Sequence, residues 1–204
     1  MSKVFILNGH QPYPFSPGRL NATLVERAQA LLGGAGHELR VSKTADVAGA
    51  PALDVDAEID KHRWADLILL QFPVNWMGAP WSFKRYMDVV YSAGMDGRLC
   101  AGDGRSREQP KANYGRGGSL TGTRYMLSVT FNAPREAFDD EAEFFGGRSM
   151  DDLLWPMHLN LDFFGATPLP TFACFDVMKN PEIESDLARF DQHLRTHVGD
   201  HLPA

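Results

Sequence analysis

Short apolar runs and helix-spaced apolar positions alternate along this chain, and the alternation predicts an α/β fold. Val4-Phe5-Ile6-Leu7 is a continuous apolar run of the kind a strand shows when both its faces are covered. Leu20, Leu24, Ala28, Leu31 and Leu32 then recur at helical spacing up to Gly33-Gly34. The pattern repeats with a short second strand over Glu38 to Val41, a helix over Asp56 to Trp64, and a third strand over Leu67 to Phe72. Beyond Pro80, which suits a first helical turn, Phe83, Met87 and Val90 mark another helix. Tyr125 to Thr130 supplies a fourth strand, Pro170 to Phe175 a fifth, and Ile183, Leu187, Phe190, Leu194 and Val198 a closing amphipathic helix. Strands alternating with helices imply a five-stranded parallel sheet with right-handed crossovers and helices on both faces, in strand order 2-1-3-4-5.

The 204 residues and their 44% hydrophobic content fit one domain spanning 1–204, with two excursions beyond the minimal fold. The first, at about 94–123, is rich in glycine and arginine and has little periodicity, the mark of a functional or mobile loop. The second, at about 133–165, holds Phe138, Phe144, Phe145, Leu153, Leu154, Trp155, Phe163 and Phe164, more aromatic surface than one connecting helix needs. Part of that surface is expected to be covered by a second subunit of a homodimer.

A formal net charge of -6 argues against nucleic acid as the main partner. Locally, Arg98, Arg105, Arg107, Lys111, Arg116 and Arg124 outweigh Asp103 and Glu108, for a balance of +4. That stretch reads either as a solvated loop or as an attractor for a phosphate-bearing small molecule. Cys100 and Cys174 are far apart and lack metal-ligand spacing, so no metal site is expected and a reducing cytoplasm fits. The run Val4 to Leu7 is too short for a signal-peptide core, and no stretch approaches a membrane span.

Candidate chemistry gathers where strands end. The third strand runs into Val74-Asn75-Trp76-Met77-Gly78-Ala79-Pro80-Trp81, a loop that sets an indole and a run of backbone amides where open α/β sheets bind ligands. The plain alternative is a strand–turn–helix in which Trp76 and Trp81 are core. The first strand leads through Ser16-Pro17-Gly18-Arg19-Leu20-Asn21-Ala22-Thr23, a loop long enough to hold a pyrophosphate with amides at a helix start, the hydroxyls of Ser16 and Thr23, and the amide of Asn21. It matches neither the Walker pattern nor GxGxxG, and Ser16-Pro17 also reads as an ordinary helix cap. The fourth strand ends in Thr130-Phe131-Asn132-Ala133-Pro134. In order 2-1-3-4-5 these three loops are neighbours at the switch point, so phosphate donors, an indole and a polar Thr/Asn loop meet in one crevice suited to a flavin.

On these segments, with Asp103-Gly104-Arg105, Tyr114-Gly115, Ala137-Phe138 and Pro168 to Phe172, the chain resembles the modulator of drug activity B family, bacterial NAD(P)H:quinone oxidoreductases related to DT-diaphorase. The resemblance implies a flavodoxin-like fold and FAD held by Ser16 to Thr23 at its pyrophosphate, by Val74, Asn75, Trp76 and Met77 and by Thr130, Phe131, Asn132 and Ala133 around its ring system, and by Tyr114 from a partner subunit of a homodimer. Asn75 departs from the pattern, standing where relatives carry a larger side chain. His158, in Trp155-Pro156-Met157-His158, is the histidine considered for the substrate pocket; its plain reading is a hydrogen-bonded core or interface residue. The expected activity is two-electron reduction of quinones by NADH or NADPH in a ping-pong cycle. Reduction of azo, nitro or chromate substrates, a flavodoxin-type electron carrier and a flavin-binding sensor are the alternatives.

Overall fold

The two faces of the sheet are written into successive residues of its central strands. In this computed structural model, which describes residues 1–49 and 53–199, β1 (Lys3–Asn8) turns Val4 and Ile6 to one face and Phe5 and Leu7 to the other, all fully buried. The rest of the expected 1–204 unit lies outside the described residues. β3 (Leu67–Pro73) divides in the same way, with Leu67 and Leu69 on the first face and Ile68, Leu70 and Phe72 on the second. Burial on both sides leaves no position for a polar side chain along the middle of these strands, which is why they read as unbroken apolar runs.

All pairings are parallel. β2 (Glu38–Lys43) flanks β1, followed by β3, then β4 (Arg124–Thr130), then β5 (Thr167–Pro168), giving the order 2-1-3-4-5. A sixth strand, β6 (Phe172–Cys174), also pairs with β4. β5 and β6 lie in series at the position expected for a single strand over Pro170 to Phe175. The ladder starts earlier, at Thr167, and is interrupted because Pro168 and Pro170 have no N–H to donate.

On the first face, α1 (Arg19–Gly34) and α7 (Ile183–Gly199) close over Leu24, Ala28, Phe190, Leu194 and Val198. On the second lie α3 (Val55–Trp64), held at its start by the Asp54 carboxylate accepting from the Ala57 N–H, and α4 (Trp81–Tyr86), which continues as a π-turn over Met87–Tyr91. Pro80 precedes α4 as its cap and does not enter its first turn. A short helix absent from the sequence reading, α2 (Thr44–Gly49), follows β2.

Both excursions are ordered by contacts of their own. The glycine-rich one folds back on itself through the Ala101 N–H to the Gly117 carbonyl at 2.8 Å and the Ser119 N–H to the Leu99 carbonyl at 2.9 Å. Gly118 lies so close to the backbone of Phe164 that a Cβ would sit 2.1 Å from its carbonyl carbon, so a side chain is excluded there. In the aromatic excursion Phe138 stacks on Phe145 with centroids 4.2 Å apart, and Phe144 meets Phe145 edge-on at 5.0 Å. Part of the aromatic excess is thus internal. The segment then enters α5 (Met150–Leu153) through a capping box between Ser149 and Asp152, and α6 (Trp155–Phe163). Phe144, Trp155 and Leu159 stay exposed. No helix among the described residues is long and apolar enough to cross a membrane.

Candidate functional site

At the carboxyl ends of the strands the apolar runs give way to polar residues, and the register makes them neighbours. Asn8 pairs with Gln71 and Gln71 with Ser128 across β1, β3 and β4. Their side chains form a connected chain with Asn21 of α1. Asn21 Nδ2 donates to Asn8 Oδ1 at 2.7 Å, Gln71 Nε2 donates to Asn21 Oδ1 at 3.1 Å, and Ser128 Oγ donates to Gln71 Oε1 at 2.6 Å. All four residues are buried, so each bond is made out of reach of water and losing any one orphans its partner. The network fixes the exits of β1, β3 and β4 relative to one another.

The loop after β1 is a tight hairpin in which the backbones of Tyr13 and Ser16 exchange hydrogen bonds at 3.1 and 3.0 Å. The helix beyond it starts two residues later than a Ser16-Pro17 cap would require. Its cap is Gly18, in the left-handed region at φ 80, with no side-chain hydrogen bond to the first turn and no acidic residue in it. A Cβ at Gly18 would sit 2.2 Å from the His10 ring, so position 18 requires glycine for both reasons. The amides of α1 are consequently open to an anion from outside the chain.

His10 is the residue that sequence reasoning missed here. Its Nε2 is buried without a hydrogen-bond partner among the described residues, and burial pulls its pKa below the usual histidine value against a bond with the Ser16 backbone. Two of the expected donors are otherwise engaged. The Asn21 amide belongs to the buried network, and the Thr23 hydroxyl donates to the Arg19 carbonyl at 3.0 Å. Ser16, Pro17, Gly18, Arg19, Leu20 and Asn21 line a cavity of about 720 Å³, whereas Ala22 and Thr23 do not.

The loop after β3 is a reverse turn closed by the Asn75 N–H to the Gly78 carbonyl at 2.8 Å and the Gly78 N–H to the Asn75 carbonyl at 3.1 Å. Its central residues, Trp76 at φ 48 and Met77 at φ 65, both occupy the left-handed region, where hairpin turns normally place Asn and Gly. The indole is 92% exposed, which excludes the reading of Trp76 as core. Val74, Asn75, Trp76 and Asn132 line the 720 Å³ cavity and also an adjoining one of about 600 Å³. The second is walled by Met77, Phe131, Ala133, Phe144 and Phe145; Thr130 faces the first. Two adjoining cavities therefore share Val74, Asn75, Trp76 and Asn132, one lined by the loop at the start of α1 and the other by aromatic rings.

Two expected site residues lie elsewhere. Tyr114 is exposed in the glycine-rich excursion, edge-on to Phe163 and under the Arg105 guanidinium, and lines neither cavity. His158 lines a separate cavity of about 590 Å³, where its Nδ1 meets Tyr125 Oη at 2.9 Å and its Nε2 meets Asp151 at 3.2 Å. No cluster of metal ligands occurs among the described residues.

A parallel sheet in this order, with a groove at the switch point, defines a flavodoxin-like protein. Residues 2–198 match the flavodoxin-like fold family. The NADPH:quinone oxidoreductase MdaB of Haemophilus influenzae is 42% identical over 196 residues, covering 96% of this chain and 99% of that protein. The chain belongs to the modulator of drug activity B family. Among solved structures, a putative quinone reductase from Klebsiella pneumoniae superposes with a TM-score of 0.76 at 26% identity, covering 96% of this chain and 85% of that one. General stress protein 14 of Treponema denticola, solved in complex with FMN, shares the fold with a TM-score of 0.63 at 18% identity, over 98% of this chain and 97% of its own.

Proposed function

We propose that this chain is an FAD-dependent NAD(P)H:quinone oxidoreductase acting as a homodimer. The observation that carries the reading is the adjacency of two cavities, which share Val74, Asn75, Trp76 and Asn132 and set a helix start without a side-chain cap beside an aromatic-walled slot. A dinucleotide flavin has this polarity, a diphosphate at one end and a flat apolar ring at the other. The Gly18 cradle and the open amides of α1 suit the first; the Asn75–Gly78 turn, Phe131 and Ala133 suit the second. Bound FAD would supply the redox chemistry, taking a hydride from NADH or NADPH and passing it to a quinone.

What the chain contributes is placement. Ser16 to Asn21 would hold the anion through backbone donors, and Trp76 and Met77 would set the orientation of the ring. Phe131 and Phe145 give apolar walls to the slot that the two substrates would use in turn, which favours a ping-pong cycle. Exposed Tyr114, Phe144, Trp155 and Leu159 suit a dimer interface, with Tyr114 reaching the partner's groove. The two free, buried cysteines are consistent with a cytoplasmic location.

Heat-released cofactor should chromatograph as FAD; FMN alone, with no FAD binding, would refute that choice. NAD(P)H and quinone should give parallel double-reciprocal lines, and intersecting lines would require a second substrate pocket. Sedimentation at micromolar concentration should show a dimer, and an active monomer with full flavin content would remove the partner's role.

A further inference from the structure

The polar and apolar ends of the groove are built on different loops, and one side-chain contact spans them at the mouth. Asn75 Nδ2 donates to Tyr13 Oη at 3.4 Å. We propose that Tyr13 and Asn75 are positioning residues that couple the two ends, so that filling the Ser16–Gly18 end with a diphosphate raises the affinity of the Trp76–Met77 turn for a flavin ring. The inference rests on the flavin reading and adds to it a reason for preferring a dinucleotide flavin to a mononucleotide.

The contacts run without a gap from one end to the other. Gly18 packs against the His10 ring, and His10 bonds to the Ser16 backbone. Ser16 closes the hairpin with Tyr13, whose ring stacks on Phe15 at 5.4 Å with planes 9° apart. The Tyr13 hydroxyl then meets Asn75, the first residue of the turn. That turn is the element able to respond. Non-glycine residues rarely occupy the left-handed region, and two in succession persist only where their surroundings hold them.

The turn is held from the sheet side by the Val74 N–H to the Thr130 carbonyl at 2.9 Å and internally by the Asn75–Gly78 pair. On the groove side its hold is Tyr13. An anion bound against Ser16 to Gly18 fixes the hairpin and therefore the tyrosine hydroxyl, which makes the turn less costly to keep in the ring-binding form. Linkage makes the effect reciprocal, so the ring must tighten the anion by the same factor.

The test uses the full-length protein freed of bound flavin, with lumiflavin as the ring alone and ADP as the diphosphate end alone. In the wild type, saturating ADP should tighten lumiflavin binding by at least about five-fold. Tyr13→Phe keeps the ring stack and removes only the hydroxyl; it should bind lumiflavin and ADP singly while the coupling ratio falls to about one. Asn75→Leu should abolish the ratio in the same way, with an unchanged melting profile showing that the fold survives. An unaltered ratio in Tyr13→Phe, a ratio of one in the wild type, or failure of ADP to bind would each overturn the coupling. Wild-type protein that binds neither FAD nor lumiflavin would overturn the flavin reading itself, whereas independent binding of both probes would overturn only the coupling.

Discussion

The His158 cavity and the groove each gather tyrosine and histidine with amide or carboxylate partners, and they are built in opposite ways. Beneath α6, Tyr125, His158 and Asp151 satisfy one another. With Asp151 accepting from His158 Nε2–H, Nδ1 is left to accept from the tyrosine, the His158 bond holds the Asp151 pKa below its usual value, and burial pushes the Tyr125 pKa up. In the groove the side-chain network lies one layer down, and what faces the cavity is uncapped backbone, a glycine cap and a strained turn. A linked Tyr–His–Asp set resembles catalytic machinery, yet its groups are spent on each other and tie α6 to β4. The groove offers unspent donors and apolar walls, which are what holding a charged planar molecule requires.

The comparison is most exposed at Gln71. Gln71→Leu should orphan the Asn21 carbonyl oxygen and the Ser128 hydroxyl, costing about 4 kcal/mol of unfolding free energy in urea titrations and weakening flavin binding. A cost under about 1 kcal/mol would mean the network does not tie the strand ends together.

A third histidine supplies a control remote from both cavities. His62 is fully buried, its Nδ1–H donates to the Glu58 carbonyl, its Nε2 has no hydrogen-bond partner among the described residues, and burial holds its pKa at about 4 instead of 6.5. Its neutral form is favoured in the fold, so its contribution is fully present above pH 6.5 and is lost as the unfolded chain takes up the proton on falling toward pH 4. The loss is about 3 kcal/mol, and His62→Phe should flatten that slope. An unaltered slope would move the acid sensitivity to the carboxylates.

Trp76→Ala should weaken flavin binding by on the order of ten-fold, about 1.4 kcal/mol, with no change in unfolding because the indole is exposed. The reverse result, lost stability and retained affinity, would return Trp76 to a structural role. Smallest is Tyr125→Phe, expected to cost about 1 kcal/mol of stability while leaving kcat/KM for quinone unchanged. A fall in kcat/KM with an intact fold would bring the α6 cavity into the reaction and restore His158 as a substrate contact.

Much of the fold was legible because β1, β3 and β4 are buried on both faces and so advertise themselves as apolar runs. α2 escaped because six residues are too few to show a helical period. The break between β5 and β6 was signalled by Pro168 and Pro170 but obscured by the apolar residues after them. In the site, the convergence of three loops followed from the strand order alone. Asn8, Gln71 and Ser128 were overlooked although a polar residue ending a fully buried strand needs a partner. The Asn75–Gly78 turn was unreadable, because Trp-Met at its centre carries none of the usual signals for left-handed backbone.

The outer strands of the sheet determine how copies of this protein can meet. β2 turns charged Glu38, Arg40 and Lys43 outward, while the opposite edge is two short pieces separated by prolines that cannot donate to a ladder. Neither border is a good template for another strand, so sheet-to-sheet growth into aggregates is discouraged at both ends. Association of copies is thereby steered toward helix faces and loops, with the sheets kept separate.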